Sequence, residues 1–155
     1  MKKRMNPVRF MEKGELLLGG FQAGAEREGY NHWEKYEAQA EKESLANAVD
    51  HTGFEMRVFP PAPEEERIFT GVEVTGRDIL PDYELLVIPA ALYAVFEINC
   101  KKKVDPQFAG IDKWLEKNST EYPRRDWEGA PYIVCWYGRF NEEKVFEMWI
   151  PVVKK

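Results

Sequence analysis

The chain has 155 residues, 44% of them hydrophobic and 14% aromatic, which suffices for one core and argues against disorder. A formal net charge of −5, with only "KKR" at 2–4 as a terminal basic run, supplies no footprint for nucleic acid. No signal-peptide region opens the chain and no apolar run nears the ~18–20 residues of a membrane span, so a cytoplasmic single domain over 1–155 is expected.

Residues 1–12 are expected to form a flexible N-terminus. "GELLLGGFQA" (14–23) predicts a strand whose glycines allow a bulge or a close backbone approach. "NHWEKYEAQAEKES" (31–44) predicts a helix with Asn31 as N-cap and Glu34 three residues on, a capping-box variant. "GFEMRVF" (53–59) and "IFTGVEV" (68–74) predict strands either side of the proline-rich, acidic "PPAPEEER", read as a solvated hairpin tip.

The second half continues in the same order. "YELLVIPAALYAVFEINC" (83–100) is a long strand run broken at Pro89, because proline cannot donate to a ladder. "DPQFAGIDKWLEKN" (105–118) predicts a helix with Asp105 at the N-cap and Pro106 at the first helical position. Phe108, Ile111 and Leu115 form its apolar stripe, with Trp114 beside them as core. "YIVCWYGRF" (132–140) and "KVFEMWIPVV" (144–153) predict a closing hairpin.

The order is thus β-α-β-β, twice. Asn31 and Asp105 stand 74 residues apart, as do Glu73 and Glu147. The fold class expected is α+β: two pseudo-twofold-related units sharing an antiparallel sheet, two helices on one face and a ligand groove on the other.

Glu147 is the most informative residue, a carboxylate inside the most apolar strand. Strand alternation puts Val145, Glu147 and Trp149 on one face and Phe146, Met148 and Ile150 on the other. If the all-apolar face meets the helices, Glu147 and Trp149 face the groove, where a dehydrated carboxylate favours a cation and aromatic rings add cation–π attraction. The alternative pairs Glu147 with Arg57, Arg139 or a lysine. Glu73 is either a second groove carboxylate or an ordinary exposed position. Tyr93 and Trp136 are assigned to the groove because strand parity lets them face away from the helices; Phe21 joins the candidate ligand set, and Trp33 and Tyr36, one turn apart, form an aromatic stripe that is more often core than pocket but whose N-terminal end can edge the groove.

Other chemistries find little support. His32 and His51, placed beside a cap and in a loop, have no partner at metal-ligand spacing, so no metal is expected. No nucleophile elbow, phosphate-cradling loop or dinucleotide fingerprint occurs, so no cofactor is expected. Cys100 and Cys135 read as buried thiols rather than a disulfide.

"GFEMRVFPP", "TGVEV", "LPDYELLVIPAALYAVFE" and "VFEMWIPVVKK" resemble, in order, segments of the GyrI-like effector-binding domain, the module appended to AraC- and MerR-type multidrug regulators. The resemblance covers about 14–153 and implies the pseudo-twofold (SHS2-like) duplication and a groove for lipophilic, often cationic, small molecules. It places Glu147 in the family's Glu-x-Trp-Ile-Pro pattern, Tyr93 at a recurrent tyrosine and Trp136 where many members have tyrosine. Ala91 departs from a frequent glycine, and no helix-turn-helix flanks the domain, so a free-standing member without direct nucleic-acid contact is expected. The expected function is binding of a lipophilic, cationic small molecule. The resemblance also implies two alternatives: hydrolysis of cyclopropane-bearing alkylating compounds with Glu147 activating water, and a protein partner such as a regulator or DNA gyrase.

Overall fold

The computed structural model describes residues 5–23, 33–58, 67–124, 132–136 and 145–155. Among the described residues ten elements follow one another: β1 (Arg9–Lys13), β2 (Leu16–Ala23), α1 (Glu34–Lys42), β3 (Ala48–Val58), β4 (Arg67–Val74), β5 (Glu84–Ile88), β6 (Ala91–Asn99), α2 (Val104–Lys117), β7 (Tyr132–Trp136) and β8 (Val145–Val152). The two β-α-β-β units are therefore β2-α1-β3-β4 and β6-α2-β7-β8, each preceded by one short strand.

Several expectations are corrected at element ends. Residues 9–12, expected to be flexible, belong to β1, which pairs antiparallel with β6. Helix α1 has Trp33 at its N-cap, with no side-chain cap bond, and Asn31 and His32 lie outside the described residues. The N-cap of α2 lies two residues earlier than expected, at Lys103, so Asp105 sits in the first turn, where its charge still suits the helix dipole. His51, expected in a loop, lies within β3, which extends back to Ala48 through an irregular register. The "KKR" run, residues 59–66, Arg139 and the turn expected between β7 and β8 lie outside the described residues.

All eight strands form one antiparallel sheet in the order β1-β6-β8-β7-β3-β4-β2-β5. That order is a palindrome of the repeat: β6, β8 and β7 mirror β2, β4 and β3, with β1 and β5 as matching edges. Each edge strand has crossed over. β1 is joined to β2 by Gly14 and Glu15 alone, yet it pairs with β6 at the far side; β5 is joined to β6 by Pro89 and Ala90, yet it pairs with β2.

This connectivity dictates the shape. In a flat sheet β1 and β2 would lie about 29 Å apart, six strand spacings. The three Cα steps from Lys13 to Leu16 span at most about 11 Å. The sheet must therefore curl until its ends approach, which makes one face concave. The buried cluster Leu16, Leu18, Phe54, Met56, Phe69, Ile88, Tyr93, Val95, Ile133, Cys135 and Trp149 draws on seven strands and lies wholly on that face.

The convex face carries the helices. Ile111 and Trp114 of α2 pack with Phe96, Ile98, Phe146, Met148 and Ile150, while Trp33 and Tyr36 of α1 pack with Phe21, Val72, Val74 and Tyr83. Phe10, on the outward side of β1, stacks on Tyr122 at 4.5 Å between centroids. In β2 the paired Gly20 and Gly71 let two backbones touch: a Cβ at Gly20 would fall on the Thr70 carbonyl oxygen. Cys135 is buried and Cys100 half-buried, and the two are not joined in a disulfide.

Candidate functional site

Cross-strand register carries the strand alternation of β8 through the whole sheet. Glu147 pairs with Cys135 and Glu97, and Trp149 pairs with Ile133 and Val95. All of these side chains share the concave face with Arg9, Met11 and Lys13 of β1, because Arg9 stands opposite Val95 and Lys13 opposite Ala91. The predicted division of β8 is thus present, with Phe146, Met148 and Ile150 against α2.

Glu147 is 8% exposed. Its carboxylate accepts two hydrogen bonds from one guanidinium, Arg9 Nη1 to Oε2 at 2.7 Å and Arg9 Nη2 to Oε1 at 2.9 Å. Such forked, charge-assisted bonds are the strong kind, and they fix the planes of both groups. Trp149 Nε1 donates a third bond to Oε1 at 3.1 Å. The Trp149 ring meets Phe54 edge-on at 5.4 Å and Tyr93 at 5.7 Å. The carboxylate therefore stands between one indole and one guanidinium, and the indole is in turn packed on Phe54 and Tyr93.

The cation is a surprise of position. The sequence offered Arg57, Arg139 or a lysine as partners for Glu147, but β1 delivers Arg9. Only the crossover of β1 to β6 brings residues 9 and 147 together, and nothing local in the sequence announces it. Arg57 instead binds Glu55 on the convex face.

Glu73 resolves in favour of the concave face. It pairs in register with Leu18, is a quarter exposed, and lies 3.6 Å from Lys13 Nζ. Both repeat-related glutamates are thus matched by basic residues of the same five-residue strand. Glu97, directly across from Glu147, is exposed and adds a further acid to this face.

The remaining predicted aromatics do not join them. Trp136 follows Cys135 by one residue, so it points to the convex side and packs on Phe146 at 4.6 Å. The expectation that it faces away from the helices is corrected by its parity in β7, which register with β3 and β8 fixes. Phe21, Trp33 and Tyr36 are buried under α1, in the cluster that also holds Tyr83. A cavity of about 270 Å³ under α2, lined by Phe108, Ile111, Met148 and Ile150 among others, also lies on this side and contains none of the predicted site residues.

Sequence reasoning missed a second buried acid. Glu55 in β3 is 7% exposed, accepts a bond from Trp33 Nε1 at 2.8 Å and takes Arg57 Nη2 at 3.0 Å. It repeats the pattern of Glu147, one indole and one guanidinium, on the opposite face. The signal available was "GFEMRVF" itself, an acid flanked by large apolar residues with Arg two positions on. Among the described residues no His/Cys/Asp/Glu group could hold a metal, and no helix is long and apolar enough to cross a membrane.

No protein-family model matches this sequence, and no curated protein matches it. The fold does have solved counterparts. SAV2435, in a structure bound to tetraphenylphosphonium, aligns with TM-score 0.62 at 14% identity, over 94% of this chain and 93% of that one. The C-terminal domain of EcmrR aligns with TM-score 0.64 at 12% identity, over 95% and 97% of the two chains. A candidate bacterial transcription regulation protein from Staphylococcus aureus MU50 aligns with TM-score 0.58 at 14% identity, over 93% and 96%. The chain has the GyrI-like effector-binding fold that these structures share.

Proposed function

We propose that this chain binds lipophilic cationic small molecules on the concave face of its sheet, as an effector-binding module related to those of transcription regulators. The observation that carries this reading is the Glu147 carboxylate, 8% exposed, held by the Trp149 indole N–H and by a cation, Arg9, whose own side chain is 40% exposed. A buried negative charge requires a positive partner, and aromatic faces stabilise that partner further. The tetraphenylphosphonium bound by SAV2435, which has the same fold, is a ligand of this chemistry.

Arg9 is the internal occupant against which such a ligand competes. Its side chain is 40% exposed, so it can rotate into water while β1 stays paired with β6. Trp149, Tyr93 and Glu73 complete the ligand set in this reading, with Glu73 adding negative potential from the other half of the sheet.

The test is a titration of tetraphenylphosphonium into wild type and Glu147→Gln, followed by calorimetry. The expected result is binding to wild type and at least a tenfold loss in the variant. Equal affinity for both proteins would remove Glu147 from the role.

A further inference from the structure

We infer that the preferred ligand of the concave face is an elongated dication, with a planar amidinium or guanidinium at one end and a second cationic group about 13 Å away. The inference rests on the cation-binding reading above and deepens it. It is read from β1, whose side chains act as the template of the absent guest.

Two ion pairs define the template. Arg9 presents a planar fork to both oxygens of Glu147, in the second half of the chain, and Lys13 lies 3.6 Å from Glu73, in the first half. The two cations branch from i and i+4 of an extended strand, on one face, and their Cα atoms stand about 13 Å apart at strand rise, which sets the length scale of the guest. β1 straddles the two halves because it pairs along its whole length with β6, of the second half, and runs straight on into β2, of the first. The equivalent arm, β5, places Glu84, Leu86 and Ile88 on the same face and brings no cation. Negative charge is repeated by the pseudo-symmetry; positive charge comes from β1.

The geometry selects for shape as well as charge. Both oxygens of Glu147 are engaged by parallel N–H donors, which a planar amidinium reproduces and a tetrahedral phosphonium cannot. Trp149 stands beside that end, its indole N–H on Oε1 of Glu147 and its ring against Phe54 and Tyr93, so an aromatic body attached to the amidinium meets an apolar wall there. Arg9 and Lys13 are 40% and 30% exposed at their side chains, so both can vacate their acids without unfolding β1.

The experiment uses the full chain and 4′,6-diamidino-2-phenylindole, a rigid fluorescent aromatic diamidine of similar span, with benzamidine as a monocation and tetraphenylphosphonium as a non-donor cation. Affinities are measured for wild type and for Arg9→Gln, Lys13→Gln, Glu73→Gln and Glu147→Gln. The diamidine is expected to bind at least tenfold tighter to Arg9→Gln, and several-fold tighter to Lys13→Gln, because each loses an internal competitor. It is expected to weaken about tenfold in Glu73→Gln and in Glu147→Gln, whereas benzamidine weakens only in Glu147→Gln.

Unchanged diamidine affinity in Glu73→Gln overturns two-point binding. No gain in Lys13→Gln, a substitution at a partly exposed pair that folding tolerates, overturns the template argument even where Arg9→Gln fails to fold. Tetraphenylphosphonium binding without diamidine binding overturns the dication class and leaves the proposed function standing. Binding of no cation overturns both.

Discussion

Arg9 and Glu147, 138 positions apart in the chain, are joined by two parallel hydrogen bonds, and the partners are unequally placed: the arginine side chain is 40% exposed and the glutamate 10%. That inequality predicts asymmetric mutational costs. Arg9→Ala removes two charge-assisted bonds from a buried carboxylate and should destabilise by about 1–3 kcal/mol. Glu147→Gln leaves a guanidinium that water can reach, and its amide oxygen can still accept from Trp149, so the loss should be smaller. Urea denaturation of both variants and the double variant measures this, and equal single losses would contradict the assignment.

Trp149 combines a ring contact with a donated hydrogen bond, and the two can be separated. Trp149→Phe keeps an aromatic ring against Tyr93 and Phe54 but removes the Nε1 donor to Glu147. Trp149→Ala should cost about 3–5 kcal/mol through lost burial, and Trp149→Phe distinctly less. Cation affinity should nevertheless fall in Trp149→Phe, because the carboxylate loses one of the groups that orients it. Retained stability with unchanged affinity would show that the indole N–H does not position Glu147.

Glu55 supplies an internal control. It matches Glu147 in burial and partner types but faces α1 instead of the concave side. Glu55→Gln should lower stability by about 1–3 kcal/mol and leave tetraphenylphosphonium affinity within twofold of wild type. A larger loss of affinity at Glu55 than at Glu147 would move the ligand to the convex face.

The contact of β2 with β4 depends on the absence of a side chain at Gly20. A Cβ there meets backbone, the Thr70 carbonyl and the Gly71 Cα, which cannot rotate aside. Gly20→Ala should therefore destabilise by at least about 1–3 kcal/mol, the usual scale of overpacking. Gly14→Ala, where an added Cβ meets nothing, should change thermal stability little.

Tyr83 gives the alkaline limb of the stability profile. Its phenol is pushed above the ordinary value of 10.0 by burial first, then by Tyr36 and Glu43. The fold thus favours the neutral phenol, whose stabilisation is complete below about pH 10 and is lost as pH rises through the raised folded value. The hydroxyl donates to the Glu43 carbonyl at 2.9 Å, so Tyr83→Phe should be less stable than wild type at neutral pH. Denaturation at about pH 8 and about pH 11 should show that gap shrinking, and a constant gap would sink the argument.

Much of the fold is legible in the sequence because it is written locally. The alternation of "KVFEMWIPVV" separates Glu147 and Trp149 from the helix-facing Phe146, Met148 and Ile150, and the structure keeps that division. The i, i+3, i+7 stripe of α2 and the break at Pro89 are local in the same sense, as is the 74-residue recurrence of the β-α-β-β order. Trp136 shows where local reading fails. Its strand was identified, but which face it presents depends on the register of β7 with β3 and β8, and one residue of slip inverts a whole strand.

The sequence alone determined that the Glu147 carboxylate shares a strand face with Trp149, opposite the all-apolar face of Phe146, Met148 and Ile150. Alternation and burial are properties of the strand itself. The tertiary structure decided what stands beside that carboxylate. Residues 9–12 carry no signal of a partner 138 positions away; they acquire one because a two-residue link and the exchange of edge strands curl the sheet, and bring β1 across to β6. Ion pairing between distant residues is a consequence of topology, and topology emerges only when the whole chain has closed on itself.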